Sequence, residues 1–303
     1  MKVLNSDKVF YAFTPDLKPL LHVAQNEVFA LDTLDCFANQ LRCDEDAQDG
    51  LDWNDTNPAT GPVAIDGVKP GDLVRIDIKK LELTGRSVMT TIPGSGAIDG
   101  VTEPSTRVMD NGGGVLSVST EKGALELPLR PMIGVIGLAP ASGSVSNGTP
   151  GKHGGNMDCN LIGEGASLYI YAAADGGLFG CGDAHALMGD GEVLVCGAET
   201  PARVTLSARV VEAAGLPTPF VETETLYAAI ASEDTADEAF KAAIDNMFYF
   251  LTELVGLSQG DAGRLMGLVG ELKFCQVVDP KLTVRFEFPK AVLSKLGFTG
   301  IGV

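Results

Sequence analysis

Residues 69–78 read Lys-Pro-Gly-Asp-Leu-Val-Arg-Ile-Asp-Ile. Lys69-Pro70-Gly71-Asp72 is turn chemistry: Pro70 presets φ, Gly71 supplies backbone freedom and Asp72 can bond back to the chain. From Leu73 onward Val74, Ile76 and Ile78 fall on one face, and Arg75 and Asp77 on the other. That period of two is a half-buried strand. The same grammar extends outward. Residues 28–34 read as a strand upstream, and residues 115–118, 168–172, 193–196 and 202–210 downstream. The 37 glycines and 16 prolines lie between such runs as punctuation. Many short strands separated by these turns favour a β-sandwich or barrel over alternating β and α units.

The last third changes period. Phe240, Ile244, Met247, Leu251 and Leu254 recur at steps of four and three, the apolar stripe of an amphipathic helix. Thr235 with Glu238 forms a capping-box pattern before it, and Gly256 stops it. Ser258 with Asp261 opens a second, shorter helix that ends near Gly270. Strands follow at 272–278 and 282–288. The expected fold is therefore α+β and predominantly β. Its N-terminal and central parts are sandwich- or barrel-like, and its α+β C-terminal portion carries two helices. Residues 1–215 form the mainly β catalytic region, and 216–303 pack on it. No clean linker separates them.

Lys plus Arg number 22 and Asp plus Glu 40, a net charge of −18. This balance argues against nucleic acid or an anionic membrane as partner. Residues 1–30 carry charges throughout and do not read as a signal peptide. The most apolar run, 131–141, is half the length of a membrane span. The six cysteines (36, 43, 159, 181, 196, 275) contain no Cys-x-x-Cys pair and read as reduced thiols of a cytoplasmic protein.

Phosphate-binding and dinucleotide loops are missing, as is the Gly-x-Ser-x-Gly elbow. Chemistry concentrates in 147–199, which holds His153 and His185, two of the three histidines. In an extended segment Asp183 and His185 project to one face, as two ligands of one metal would. Imidazole and carboxylates suit Zn²⁺ or a similar divalent ion. Gly154-Gly155 would let backbone N–H groups approach a substrate closely. Set against this, a lone Asp-x-His is more often a hydrogen-bonded pair, and Glu192 and Glu199 read as strand ends. Asp35 reads as a turn former after a strand, His22 as structural. Cys159 and Cys181 could serve a Cys–His nucleophile, but small buried thiols are the commoner reading.

Taken together, Thr33-Leu34-Asp35-Cys36, Asp52-Trp53, Asn57-Pro-Ala-Thr-Gly-Pro62 and Pro131-Met-Ile-Gly-Val-Ile-Gly137 make a set. It is completed by Gly148-Thr-Pro-Gly-x-His153-Gly-Gly-Asn156-Met-Asp158 and Gly182-Asp183-x-His185-Ala-x-Met-Gly-Asp190-Gly-Glu192. The chain resembles the acetamidase/formamidase family nearly end to end. It departs from the pattern at Asn26, where a turn glycine is expected, and at Cys159 and Cys181. The resemblance implies hydrolysis of small amides and a divalent metal, Zn²⁺ or else Ca²⁺. The ligand candidates are then Asp35, His153, Asp183 and His185. Glu192 or Asp158 would move the proton. The oxyanion would sit against Gly154, Gly155 and Asn156. A homo-oligomer is the expected assembly. Two alternatives stay open: metal-free hydrolysis by paired carboxylates, and a non-catalytic small-molecule or carbohydrate-binding β protein. An aromatic content of only 6% with one Trp weakens the latter.

Overall fold

In a computed structural model, which describes residues 1–46 and 50–302, the 73–78 alternation opens a strand of 11 residues, Leu73–Leu83. It pairs antiparallel with Ala202–Val210 on one side and Ser167–Tyr171 on the other. Beyond Ala202–Val210 come Phe29–Asp32 and then Lys2–Leu4. Beyond Ser167–Tyr171 the sheet continues through Phe220–Glu222, Leu226–Glu233 and Leu282–Pro289 to Glu271–Gln276. This makes one nine-stranded sheet, in which the turn at residue 215 lies between Ala202–Val210 and Phe220–Glu222.

A second sheet is centred on Phe179–His185. Met132–Gly137 pairs on one side of that strand, and Ala59–Ile65 and Glu199–Thr200 on the other. Gly154–Asn156 forms one edge, while Arg86–Thr91 and Ser105–Asp110 extend the opposite one. The sheets stack as a sandwich and neither closes into a barrel. Between them Val74, Ile76, Ile78, Leu168, Val204 and Leu206 meet Val63, Ile133, Ile136 and Phe179. Arg75 and Asp77 stay on the outer face, paired at 2.7 Å, with Asp77 also accepting from Ser167 Oγ at 2.6 Å.

On the outer face of the first sheet lie α1 (Ala236–Tyr249), α2 (Gln259–Val269) and a short α3 (Lys290–Lys295). The caps are those the sequence predicts: Thr235 accepts from the Glu238 N–H at 3.3 Å, and Ser258 from that of Asp261 at 3.1 Å. The third helix has too few residues for a periodic signal. Of the expected stripe Met247 and Leu251 are buried, Phe240 and Leu254 are half-buried and Ile244 is exposed; Ala239 and Ala243 complete the buried face of α1. The sheet beneath already presents Phe220, Tyr227 and Phe288. Small alanines let the helix settle on these rings, and Phe240 packs at the margin against Phe274.

The run 193–196 is a turn, not a strand. The Val195 N–H bonds Glu192 O at 2.9 Å, and Val195 has φ +81°. Its apolar side chains do not cover a sheet face. They wall cavities on two sides, Val195 on one and Leu194 and Cys196 on the other. Asn26, where a glycine was expected, takes the left-handed φ of +65° that asparagine tolerates. All six cysteines are free thiols, five of them buried. Among the described residues no helix is long and apolar enough to cross a membrane.

Candidate active site

The strand Phe179–His185 brings Asp183 and His185 together, 3.3 Å apart. The backbone register places Glu199 directly opposite His185 on the neighbouring strand. Asp158 follows the edge strand Gly154–Asn156, and Glu192 comes from the turn that leads to 193–196. These four acids converge on one imidazole. His185 Nε2 lies 3.1 Å from Glu199, 3.3 Å from Asp183, 3.9 Å from Asp158 and 4.0 Å from Glu192. All five side chains are buried. The cluster also subdivides by proximity: Asp158, His185 and Glu192 form one compact set, and Cys36, Asp183 and Glu199 another.

Backbone makes room for this crowding. A Cβ on Gly134 would overlap the carboxylate oxygens of both Asp183 and Asp158, and one on Gly197 would meet the His185 ring. Asp158, Asp183 and Glu192 all have left-handed backbone, with φ of +44°, +54° and +46°. Non-glycine residues hold that conformation only where the surrounding structure enforces it, at about 1–3 kcal/mol each. Three of the four clustered acids are therefore strained into place.

The electrostatics are correspondingly unbalanced. Burial pushes Asp158 well above the ordinary carboxylate range, with the Asp183 charge adding to it. Burial and Asp158 do the same to Glu192. Burial carries Glu199 up to about 8, against the pull of His185. In Asp183 burial is outweighed by His185 and its hydrogen bonds, and its pKa falls. His185 is held well above its usual value, since Glu199 and Asp183 overcome the burial penalty. Both Asp158 oxygens, Glu199 Oε2 and His185 Nδ1 are buried without a hydrogen-bond partner. Four carboxylates against one imidazole, with orphaned oxygens, is a donor set that a divalent cation satisfies.

The other residues singled out by sequence fall around this centre. Asp35 is fully buried, and its Oδ1 accepts from the N–H groups of Phe37 at 3.1 Å and Asn39 at 2.7 Å. Its Oδ2 has no hydrogen-bond partner, and Arg86 Nη2 lies 3.9 Å away. Burial raises Asp35 to about 6, with those hydrogen bonds and Arg86 opposing. It thus makes the turn that sets Cys36 beside Asp183 and Glu199. His153 stands outside the compact sets among the described residues. Its ring meets Phe13 edge-on at 5.3 Å, its Nε2 has no partner, and burial lowers its pKa to about 4.

Gly154 and Gly155 have positive φ and lie so close to Ile136 O and Thr149 O that side chains would collide. The Gly154 N–H is spent on Gly151 O at 3.0 Å, so it is not a free oxyanion donor. The Asn156 NH₂ is likewise committed, to Asp279 Oδ2 at 2.9 Å. A cavity of about 130 Å³ opens onto the cluster. Its polar lining includes Asn156, Asp183, Glu192, Glu199 and Asp279, and Phe37, Trp53, Ile92 and Val195 supply apolar walls. Pockets for drug-sized ligands run to about 300–1,000 Å³, so this one fits only small molecules.

The acetamidase/formamidase family model matches residues 2–147 and 144–279. The chain belongs to this family. Among solved structures, an acetamidase from Bacillus halodurans is 37% identical, with TM-score 0.94, over 98% of this chain and 100% of that one. A recombinant protein from Thermoanaerobacter tengcongensis, described as a predicted acetamidase/formamidase, is 40% identical with TM-score 0.92, over 98% of each chain. A curated Schizosaccharomyces pombe protein named "Putative formamidase" is 21% identical over 65% of this chain and 63% of its own length. The chain thus spans less than two thirds of that curated relative.

In this acetamidase/formamidase chain two cavity acids escape a sequence reading. Glu199 looks like a solvated strand end, yet it is 1% exposed. Its signal is positional, since only the pairing with His185 brings it in. Asp279 sits in a Val-Asp-Pro turn far along the chain, and no local motif marks it.

Proposed function

We propose that this chain hydrolyses short aliphatic amides, such as formamide or acetamide, to the carboxylate and ammonia with the help of a divalent metal. The observation that carries the reading is a 130 Å³ cavity lined by Asp183, Glu192 and Glu199, three of the four buried acids around the His185 imidazole. Family membership and the likeness to an acetamidase support it.

His185 Nε2 with oxygens of Asp183, Asp158 and Glu199 would hold the ion, Zn²⁺ by ligand chemistry and Ca²⁺ as the alternative. When bound, such an ion supplies Lewis acidity to the amide carbonyl and lowers the pKa of water toward about 7. Glu192 lines the cavity beside these groups and is the base: its carboxylate takes the proton of the attacking water and returns it to the departing nitrogen. Asp35, through the 35–39 turn, keeps the Cys36 wall in place. Phe37, Trp53, Ile92 and Val195 bound the space for the acyl group, which limits its length.

The test is ammonia release from formamide, acetamide, propionamide and urea, before and after chelation, with metal content measured alongside. Release that chelator stops and one metal restores is the expected outcome. Glu192→Gln is expected to lower kcat by about 10²–10⁴-fold while the bound metal is retained. No release from any amide by folded, metal-supplied protein would overturn the reading, and an unchanged kcat in Glu192→Gln would remove the base assignment.

A further inference from the structure

The 192–197 turn stands between two cavities. Val195 lines the 130 Å³ cavity of the candidate active site. Val193, Leu194, Cys196 and Gly197 line a second cavity of about 330 Å³, and Glu192 borders both. Met89, Met109, Leu116, Val118 and Leu187 give the second cavity an apolar wall. Of its charged neighbours, Asp190 is tied to Arg285 and Glu192 belongs to the acidic cluster. A space of this size falls within the range that takes a small-molecule ligand, and methionines let its wall adapt to shape. No step of the proposed hydrolysis uses it.

Val195 holds its place in this partition under strain. Its φ is +81°, and a β-branched residue in that region is an outlier. Such a conformation persists only where the surroundings enforce it, and it gathers at functional positions. Hydrogen bonds along the turn enforce it here. The Val195 N–H donates to Glu192 O at 2.9 Å, and the Gly197 N–H to Glu199 Oε1 at 2.8 Å. From the neighbouring 92–97 segment the Ala97 N–H donates to Val193 O at 2.8 Å. A Cβ on Gly96 would lie 2.9 Å from that same oxygen, so this segment presses directly on the turn. Glycine would take the Val195 backbone freely. Valine instead adds two methyl groups to the partition.

We infer that the second cavity is a latent pocket for a straight-chain hydrocarbon acyl group, and that the Val195 side chain closes it off from the active site. The inference rests on the amide-hydrolase reading and names the residue that sets the acyl limit. Beyond its carbonyl an alkyl chain carries no hydrogen-bonding atom, so an apolar lining suits it. A chain ending in a charge would lose its water there without replacement. Each methylene that gains apolar surface in such a pocket is worth about 10–200-fold in discrimination between substrates. Opening the partition therefore changes acyl preference by a large factor, with the cluster around His185 left in place.

The experiment compares acetamide, hexanamide and 6-aminohexanamide on the metal-loaded wild type, Val195→Ala and Val195→Gly. The quantity read is the kcat/KM for each longer amide divided by that for acetamide. For hexanamide this ratio is expected to rise about 10-fold or more in Val195→Gly, and by less in Val195→Ala, which keeps one carbon and the strained backbone. For the charged 6-aminohexanamide it should move less than about threefold. Adding Val118→Trp, which fills the second cavity, is expected to return the hexanamide ratio to the wild-type value. Thermal melting and metal content identify a misfolded or metal-depleted variant, and Val195→Ala carries the same test if Val195→Gly does not fold. If a folded variant turns over no amide, calorimetric binding of hexanamide decides: tighter binding than to the wild type is expected, and equal affinity would overturn the inference. An unchanged ratio in the folded variants, or a gain that Val118→Trp leaves intact, would overturn the inference and leave the hydrolase reading standing. A wild type that turns over no primary amide would overturn both.

Discussion

His153 is a buried imidazole held neutral. Its ring packs on Phe13, its Nε2 has no partner, and burial lowers its pKa from 6.5 to about 4. The folded value lies below the unfolded one, so the unfolded chain binds more protons between them. The resulting stability is complete above about pH 6.5 and is lost as pH falls toward 4. From pH 7.5 to pH 4.5 this group alone should cost about 2 kcal/mol. Urea unfolding at both values should show the wild type losing about that much more than His153→Gln; equal losses would show that burial does not set the titration. The same residue shows where a sequence reading stops. His153 and His185 sit in equally dense motifs, but only strand alternation carries a direction. It correctly joins Asp183 to His185. It says nothing of His153, which follows a Gly-Lys turn, or of Glu199, which arrives across a strand pair.

Among the elements, the turn bearing Glu192 is fastened to the last two strands. Arg285 is 2% exposed and holds both Asp190 oxygens, at 2.9 and 2.8 Å, together with Glu287 at 2.7 Å. Its Nη1 also donates to Phe274 O at 2.9 Å. Next to Asp190, the Gly191 N–H donates to Cys275 O at 2.9 Å, and Gly191 O accepts from Val277 at 3.1 Å. Breaking a fully buried ion pair costs about 3–5 kcal/mol; here Asp190 is 37% exposed and Glu287 keeps Lys273 at 2.8 Å, so the cost is smaller. Arg285→Met should lose a fraction of that stability in urea unfolding, and Arg285→Lys less, since an ammonium cannot fork onto Asp190. A midpoint within error of the wild type for Arg285→Met would show that the clamp carries no stability. Elements defined by local chemistry were legible: the 73–78 alternation, the 202–210 strand, and the Thr235 and Ser258 caps. The 193–196 turn and the alanine side of the buried face of α1 were not, because each answers to a surface supplied from elsewhere in the chain.

At the scale of the whole molecule, one sheet crosses from the N-terminal region to the C-terminal one through the pairing of Ser167–Tyr171 with Phe220–Glu222. Leu226–Glu233 buries Ala228 and Ile230 in the inter-sheet core, and Tyr227 and Ala229 beneath the helices. A strand that serves both cores couples them. Unfolding should therefore be one transition, with far-ultraviolet and aromatic signals coinciding. Two separated midpoints would show that the halves fold independently. Predominantly β architecture was readable from composition and period, but strand order was not, since partners such as Leu73–Leu83 and Ser167–Tyr171 lie some ninety residues apart. Asp35, Asp158, Asp183 and Glu192, which stand in motifs, are interior, and so is Glu199, which reads only as a strand end.

The left-handed backbone at Asp158, Asp183 and Glu192 sets function against endurance at the same positions. Glycine adopts that conformation freely and brings no charge into the crowd. Glu192→Gly should therefore melt above the wild type while losing turnover, the signature of a trade-off between activity and stability. The one substitution thus reads both quantities at once: melting reports the strain released, and turnover the carboxylate lost.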